Sequence, residues 1–151
     1  GGIADGRAML AAMALGADAV QMGSRFVCSE ESSGHPAFKQ FVVESKEGDT
    51  LLTLKELAPV RMMRNPFFAE VQAAYAKCVS VDELKALLGR ARSKHGMFEG
   101  DLEQGELEIG QVGAAIHEVL PTAEIVRRVM TEFQVAREAL SVLRPLSPDR
   151  A

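Results

Sequence analysis

A glycine pair at the start of the chain, followed by a helix and a short apolar run, most constrains the fold. Residues 7–15 are dense in strong helix formers, and Gly16 stands where a helix-ending glycine is common. Residues 18–22 then form a largely apolar run that stops at Gly23. This spacing predicts a buried strand of a parallel sheet. Because one strand cannot form a sheet, we expect the partner strands to lie outside these residues, in a larger α/β protein.

The same segment predicts an anion site formed by main-chain groups. Glycines at 1 and 2 allow close approach of a ligand to the backbone, and the following helix should present unpaired N–H groups at its positive end. Met22, Gly23 and Ser24 repeat this arrangement at the end of the predicted strand. Loops after strands 7 and 8 of a (β/α)8 barrel form such a phosphate site. Glycines after strands also serve plain turns, and the residues alone leave that alternative open.

Beyond residue 30 the pattern predicts helices joined by loops. The predicted helices cover residues 36–44, 66–77, 81–95 and 109–119, and a last helix begins at Pro121. Residues 50–57 fit either a strand or irregular structure, and residues 60–65 are expected to be a connection between two prolines. We expect three parts: residues 1–45 as the last βα units of a barrel with their phosphate-binding loops, 46–143 as a helical region with the closing helices, and 144–151 as a disordered tail. The fragment itself should be mostly α-helical.

Charge and composition limit the function. With 17 Lys and Arg against 21 Asp and Glu, the net charge is −4, which gives no basic face for nucleic acid or an anionic membrane. The two cysteines have no histidine at ligand spacing, so no metal site is expected. No apolar run approaches the roughly 20 residues of a membrane span. A signal-peptide pattern is also missing, so we expect a cytoplasmic protein.

The string GGIADGRAM…ALGADAVQMGSRF resembles the phosphate-binding signature of the FMN-dependent nitronate monooxygenases, formerly 2-nitropropane dioxygenases. This family includes the flavin-dependent enoyl-acyl-carrier-protein reductases II. The resemblance extends through SEESSGHPAFKQFVVES to GELEIGQVGAAIHEVLPTAEIV. It implies an α/β fold, the C-terminal part of an FMN-binding (β/α)8 TIM barrel. The chain would be roughly the last half of a member, since a barrel takes about 250 residues.

The resemblance also assigns residues to the site. It implies that main-chain amides hold the FMN phosphate in the loops after strands 7 and 8, and that Gln111 lies at the mouth of a pocket. The cofactor-binding residues it implies are Gly1, Gly2, Ile3, Gln21, Met22, Gly23 and Ser24. The family's catalytic histidine lies upstream of this chain. None of His35, His95 and His117 takes its place, so the catalytic residues are not assigned.

For function, the resemblance implies an FMN-dependent oxidoreductase. The first expectation is a nitronate monooxygenase that oxidises alkyl nitronates with O2 to a carbonyl compound and nitrite, with this fragment inactive alone. The reductase branch would pass hydride from NAD(P)H through FMN to an enoyl thioester. Two readings of other classes stay open: a barrel that binds a nucleotide phosphate without FMN, and a non-enzymatic helical interaction domain. A homo-oligomer also stays open.

Other side chains are expected to serve the structure only. Arg25 is expected at the surface, and Cys28 and Cys78 as small buried hydrophobes. The carboxylates of residues 99–108 are expected in solvent. The pairs Met62-Met63 and Phe67-Phe68 are expected to pack the helical region.

Overall fold

The computed structural model describes residues 1–142, and in that part the chain is rich in helices and has a small two-stranded sheet. The α-helices are α1 (Gly6–Ala14), α2 (Ser24–Val27), α3 (Pro36–Val43), α4 (Pro66–Ala76), α5 (Val81–Leu88), α6 (Arg92–Met97) and α7 (Thr122–Ser141). A 3-10 helix covers Gln111–Ala115, and two strands, β1 (Thr50–Thr53) and β2 (Val60–Met63), pair antiparallel. The predicted tail at 144–151 lies outside the described residues. Within residues 1–142, no helix combines the length and apolarity that crossing a membrane requires.

Helix starts follow the local sequence closely. Asn65 caps α4, with its side-chain oxygen accepting from the N–H of Phe68 at 2.8 Å and Pro66 at the first helical position. Ser80 and Glu83 form a reciprocal capping box at the start of α5. The sequence alone is enough to identify these helix caps, because the donor and the acceptor lie within three residues of each other.

The predicted strand at residues 18–22 is wrong for this structure. These residues are irregular, and their backbone N–H groups donate no hydrogen bond to an acceptor within residues 1–142. Val20 and Met22 are half-buried, while Gln21 between them is exposed. A strand requires a neighbouring backbone, and no other segment of the described chain pairs with this run. Apolar patterning alone therefore does not make it a strand.

The sheet forms instead where the sequence predicted a connection. β2 pairs with β1 in a register that places Thr50 opposite Met63. Residues 107–109 extend this sheet on the far side of β2: the N–H of Met63 donates to Leu107 O at 2.8 Å, and the N–H of Ile109 donates to Arg61 O at 3.3 Å. The prolines at 59 and 66 flank the strand and do not interrupt it, since proline is tolerated outside the paired residues.

Two predicted helices are shorter than expected. The helix predicted over 81–95 ends at Leu88, because Gly89 leaves helical geometry with φ of 61°, and α6 starts separately at Arg92. The helix predicted over 109–119 is only the 3-10 turn Gln111–Ala115. Glycines at 110 and 113 weaken a helix there. Ile109 and Ile116, buried on either side, hold this turn against the core.

The core has two parts. The first joins α3 to the 107–116 segment and includes Phe38, Val42, Met63, Leu107, Ile109 and Ile116. The second lies between the sheet and α4 and includes Leu54, Met62, Phe67, Phe68 and Val71. The predicted packing role of the Met and Phe pairs is thus confirmed. Cys28 is buried as predicted, but Cys78 is exposed.

Helices α1 and α7 cross at very close range. A methyl group at Gly6 would overlap main-chain atoms of Val129 and Phe133, so only glycine permits this approach. The N–H of Gly6 also donates to the Glu132 carboxylate at 2.9 Å. The start of the described chain is therefore fixed to its last helix.

Candidate functional site

The first predicted loop, Gly1 to Ile3, offers free main-chain donors. Gly1 and Gly2 are exposed, Ile3 is half-buried, and Gly2 has φ of 80°. A Cβ at either glycine would meet nothing within 4 Å. The N–H groups of Gly2 and Ile3 find no acceptor in the described part of the chain. The loop can therefore accept an anion against its backbone.

The second predicted loop leads into α2. Gly23 precedes this helix, and its carbonyl accepts from the N–H groups of Phe26 and Val27 at 2.9 and 3.0 Å. The N–H groups of Gly23, Ser24 and Arg25 have no acceptor among residues 1–142. These are the unpaired donors that the first turn of a helix leaves. Gly23 is exposed, and a Cβ there would meet nothing within 4 Å.

The N-terminus of α1 is not the free anion site that the sequence predicts. The Asp5 carboxylate accepts from the N–H of Ala8 at 2.7 Å, and Glu132 accepts from Gly6. Two carboxylates thus already satisfy this helix end, and their charge disfavours a further anion. The donors left on this side of the site are those of Gly2 and Ile3.

Ser24 links the second loop to the segment that contains Gln111. Its hydroxyl oxygen accepts from the N–H of Gly110 at 3.1 Å, so this hydroxyl is directed to the protein. Gln111 is exposed at the start of the 3-10 helix. Gln21 is also exposed. The structure therefore joins Ser24 to residues 110–111, while no hydrogen bond within residues 1–142 joins the two predicted loops to each other.

An open cleft of about 370 Å³ lies between the second loop and the sheet. Its lining comprises Gly23, Ser24, Val27, Pro59, Val60, Arg61, Glu108, Ile109 and Gly110. The Nη1 of Arg61 donates two hydrogen bonds to Thr50, one to its carbonyl at 3.1 Å and one to its hydroxyl at 3.2 Å, and these hold the side chain in the cleft. Glu108 lines the cleft from the segment that pairs with β2.

Glu108 lines the cleft, although the sequence did not predict it as a site residue. It was expected in solvent, but it is half-buried, and burial raises the pKa of its carboxyl. Burial also raises the pKa of Glu106, and the charge of Glu108 adds to that effect. The alternation Glu106, Leu107, Glu108, Ile109 has the period of a strand and could have identified this segment.

Arg25 is buried, contrary to the expectation of a surface position. Its guanidinium Nη1 donates to the Glu118 carbonyl at 3.1 Å, and desolvation lowers its pKa. The side chain therefore anchors α2 to the segment before α7.

The three histidines have separate local contacts. The Nδ1 of His35 accepts from the N–H of Ala37 and caps α3. His95 forms a pair with Glu99 at the end of α6, and His117 is exposed outside any helix. None of them lines the cleft beside the second loop.

Two solved structures are similar to this chain in both fold and sequence. FabK from Thermotoga maritima has a TM-score of 0.86 and 39% identity, covering 93% of this chain and 45% of that one. The nitroalkane oxidase from Streptomyces ansochromogenes has a TM-score of 0.69 and 32% identity, covering 93% of this chain and 40% of that one. The name of the Streptomyces protein indicates an oxidoreductase.

The sequence profile of the nitronate monooxygenase family matches residues 1–132, and this chain belongs to that family. A relative from Staphylococcus saprophyticus described as a probable nitronate monooxygenase is 44% identical over 112 residues, 74% of this chain. Another, from Bacillus subtilis, is 49% identical over 53 residues, 35% of this chain and 15% of the relative. The chain spans 31% of the length of the Staphylococcus saprophyticus protein. The resemblance stated from the sequence is therefore confirmed.

Proposed function

We propose that the protein containing this chain is an FMN-dependent oxidoreductase and that the two loops bind the FMN phosphate. The observation that carries the proposal is the set of main-chain N–H groups without acceptors within residues 1–142, at Gly2 and Ile3 and from Gly23 to Arg25. A phosphate dianion is bound well by several such donors. Gly2, Ile3, Gly23 and Ser24 are also among the residues that the resemblance implies, whereas Arg25 is not.

The residues present fit a phosphate through their backbone and not through a basic side chain. Glycines 1, 2 and 23 leave open space where a Cβ would stand. Arg25 is held by Glu118, so it supplies no direct contact in this proposal. Ser24 would contribute its N–H, while its hydroxyl keeps the Gly110 segment against the loop. When bound, FMN would supply the electron transfer, and the protein orients it.

The proposed architecture is the closing part of a (β/α)8 barrel with residues 1–45 as its last βα units and residues 46–143 as the helical region. In that setting residues 18–22 would gain neighbouring strands, which the described chain does not provide. The proposed first activity is oxidation of alkyl nitronates with O2 to carbonyl compound and nitrite. The family profile over residues 1–132 supports it.

The second candidate is the reductase branch, which takes hydride from NAD(P)H and reduces an enoyl thioester. The observation that favours it is the likeness to FabK, with a TM-score of 0.86 against 0.69 for nitroalkane oxidase. Residues that select between these substrates are expected upstream of Gly1.

The test is an absorption spectrum of the full-length polypeptide that contains this chain, purified from cells. We expect flavin bands, release of FMN on denaturation, and nitrite formation from alkyl nitronates. The variant Gly23→Val should lose FMN, because a branched side chain would cover the donors. Ala58→Val, at an exposed position after the turn at residues 55–57, is the matched control.

A folded, colourless protein that does not take up added FMN would overturn the cofactor proposal. FMN binding with NAD(P)H oxidation and no nitrite would instead select the reductase branch. Retention of FMN by Gly23→Val would remove the second loop from the site.

A further inference from the structure

Lys39 is a buried cation held entirely by main-chain carbonyls. It lies on α3, and only 6% of its surface is exposed. Its ammonium donates to Ser29 O at 2.6 Å, to Glu30 O at 3.2 Å and to Ser32 O at 2.9 Å. A lysine has three N–H donors, and all three are used. No carboxylate in residues 1–142 lies within ion-pair distance of it.

The segment that Lys39 binds is itself attached to α2. The Ser29 hydroxyl donates to Phe26 O at 2.9 Å, and the Ser32 hydroxyl donates to Val27 O at 2.6 Å. These two carbonyls belong to the last residues of a four-residue helix. The first residue of that helix is Ser24, so the ammonium is connected to the second loop through a short series of hydrogen bonds.

Burial of an ammonium without a carboxylate is costly unless its hydrogen bonds are complete. Here the carbonyls of residues 29, 30 and 32 converge on one point, and the three N–H donors of an ammonium pair with all of them. An apolar residue in α3 would fill the volume but would not bind this segment. The chemistry therefore indicates a specific role for the charge in ordering residues 29–32.

We propose that Lys39 is a positioning residue for the phosphate-binding loop Met22-Gly23-Ser24. Its ammonium orders residues 29–32, these residues hold the end of α2, and α2 presents its N–H groups at a fixed place. This inference rests on the proposed function of that loop.

The sequence explains how Lys39 comes to this position. His35 and Pro36 begin α3, and the N–H of Lys39 donates to His35 O at 3.0 Å, which places the lysine one turn inside the helix. Phe38 beside it is buried in the core and fixes the rotation of α3. The stretch His-Pro-x-Phe-Lys therefore acts as one unit: cap, first residue, core anchor and cation.

The experiment measures the dissociation constant of FMN by flavin fluorescence, using apoprotein of the full-length polypeptide. Lys39→Met keeps the length of the side chain and removes the charge, and we expect affinity to fall about 10- to 100-fold, the range seen when groups supporting a binding shell are lost. Lys39→Arg should recover part of it. Lys77→Met, at an exposed position after α4, is the control.

Two further measurements apply if Lys39→Met does not fold. Ser32→Ala removes only the bond to Val27 O and should weaken FMN binding without loss of fold. In Lys39→Ala, propylammonium should restore FMN affinity, whereas 1-propanol, which has the same chain length and no charge, should not.

The proposal is overturned if Lys39→Met or Ser32→Ala lowers the melting temperature but leaves the FMN dissociation constant unchanged. It is also overturned if propylammonium and 1-propanol act alike on Lys39→Ala. Failure of the proposed function gives a different result, because the unmodified protein would then bind no FMN at all.

Discussion

At the scale of single residues, the cleft beside the second loop contains one cationic and one anionic side chain, both partly buried. Glu108 and Arg61 both line it, and they come from adjacent paired segments. The Nη1 of Arg61 donates to Thr50, whereas the carboxylate of Glu108 has no hydrogen-bond donor within residues 1–142. A carboxylate left this way is disfavoured in its charged form.

We predict that Glu108→Gln stabilises the protein at neutral pH. The folded state raises the pKa of this carboxyl, so its contribution is most favourable at low pH, where it is protonated, and is lost as the pH rises through the folded pKa. The gain at pH 7 should be at most about 1 kcal/mol, because the half-exposed group keeps access to water. Chemical denaturation at pH 7 and pH 4 measures it, with exposed Glu47→Gln as the background. An equal gain at both values would contradict the assigned cause.

At the scale of elements, the helix caps could be predicted from the sequence, but the pairing of the strands could not. The capping residues of α4 and α5 act over three positions, so the sequence shows them directly. The β1–β2 pairing was not predicted because residues 60–65 lie between two prolines. The contact of residues 107–109 with β2 joins segments about 45 residues apart, which no local pattern specifies. The strand predicted at residues 18–22 does not form in this structure. Its apolar pattern is that of a buried strand, but no segment of the described chain pairs with it.

Asn65 shows how one cap can hold two elements together. Its oxygen caps α4, and its Nδ2 donates to Leu102 O at 2.9 Å and to Gly105 O at 2.8 Å. We predict that Asn65→Ala lowers the free energy of unfolding by about 2–4 kcal/mol, as it removes a cap and leaves buried carbonyls unpaired. Ser80→Ala, at an exposed cap, should cost only about 1 kcal/mol. Equal losses in urea denaturation would show that the contacts with the 102–105 loop contribute nothing.

At the scale of the whole molecule, the site depends on parts that are far apart in the sequence. The loop resemblance located Gly1–Ile3 and Gln21–Ser24 as candidates, and their free N–H groups are compatible with it. The burial of Arg25, the Ser24–Gly110 bond and the position of Glu108 were not predictable, because each depends on residues from 108 to 118 folding back against α2.

The close crossing of α1 and α7 determines whether replacing Gly6 with alanine stabilises or destabilises the protein. By helix propensity alone, replacing Gly6 with alanine would stabilise α1 by up to about 1 kcal/mol. Here the methyl group would press on the main chain of Val129 and Phe133, so we expect Gly6→Ala to destabilise by about 1–3 kcal/mol. Arg7→Ala, at the exposed next position, should change the melting temperature little. A stabilised Gly6→Ala protein would show that the helices can separate without loss.

The bond between Gly6 and Glu132 spans 126 positions of the chain. A ribosome must therefore synthesise nearly all of the described polypeptide before the first helix can acquire its partner. Until then, α1 lacks the contact with α7 that fixes the glycine-rich loop ahead of it. The loop ahead of α1 is therefore fixed only once α7 has been made, and any cofactor that requires both loops would bind after synthesis of α7.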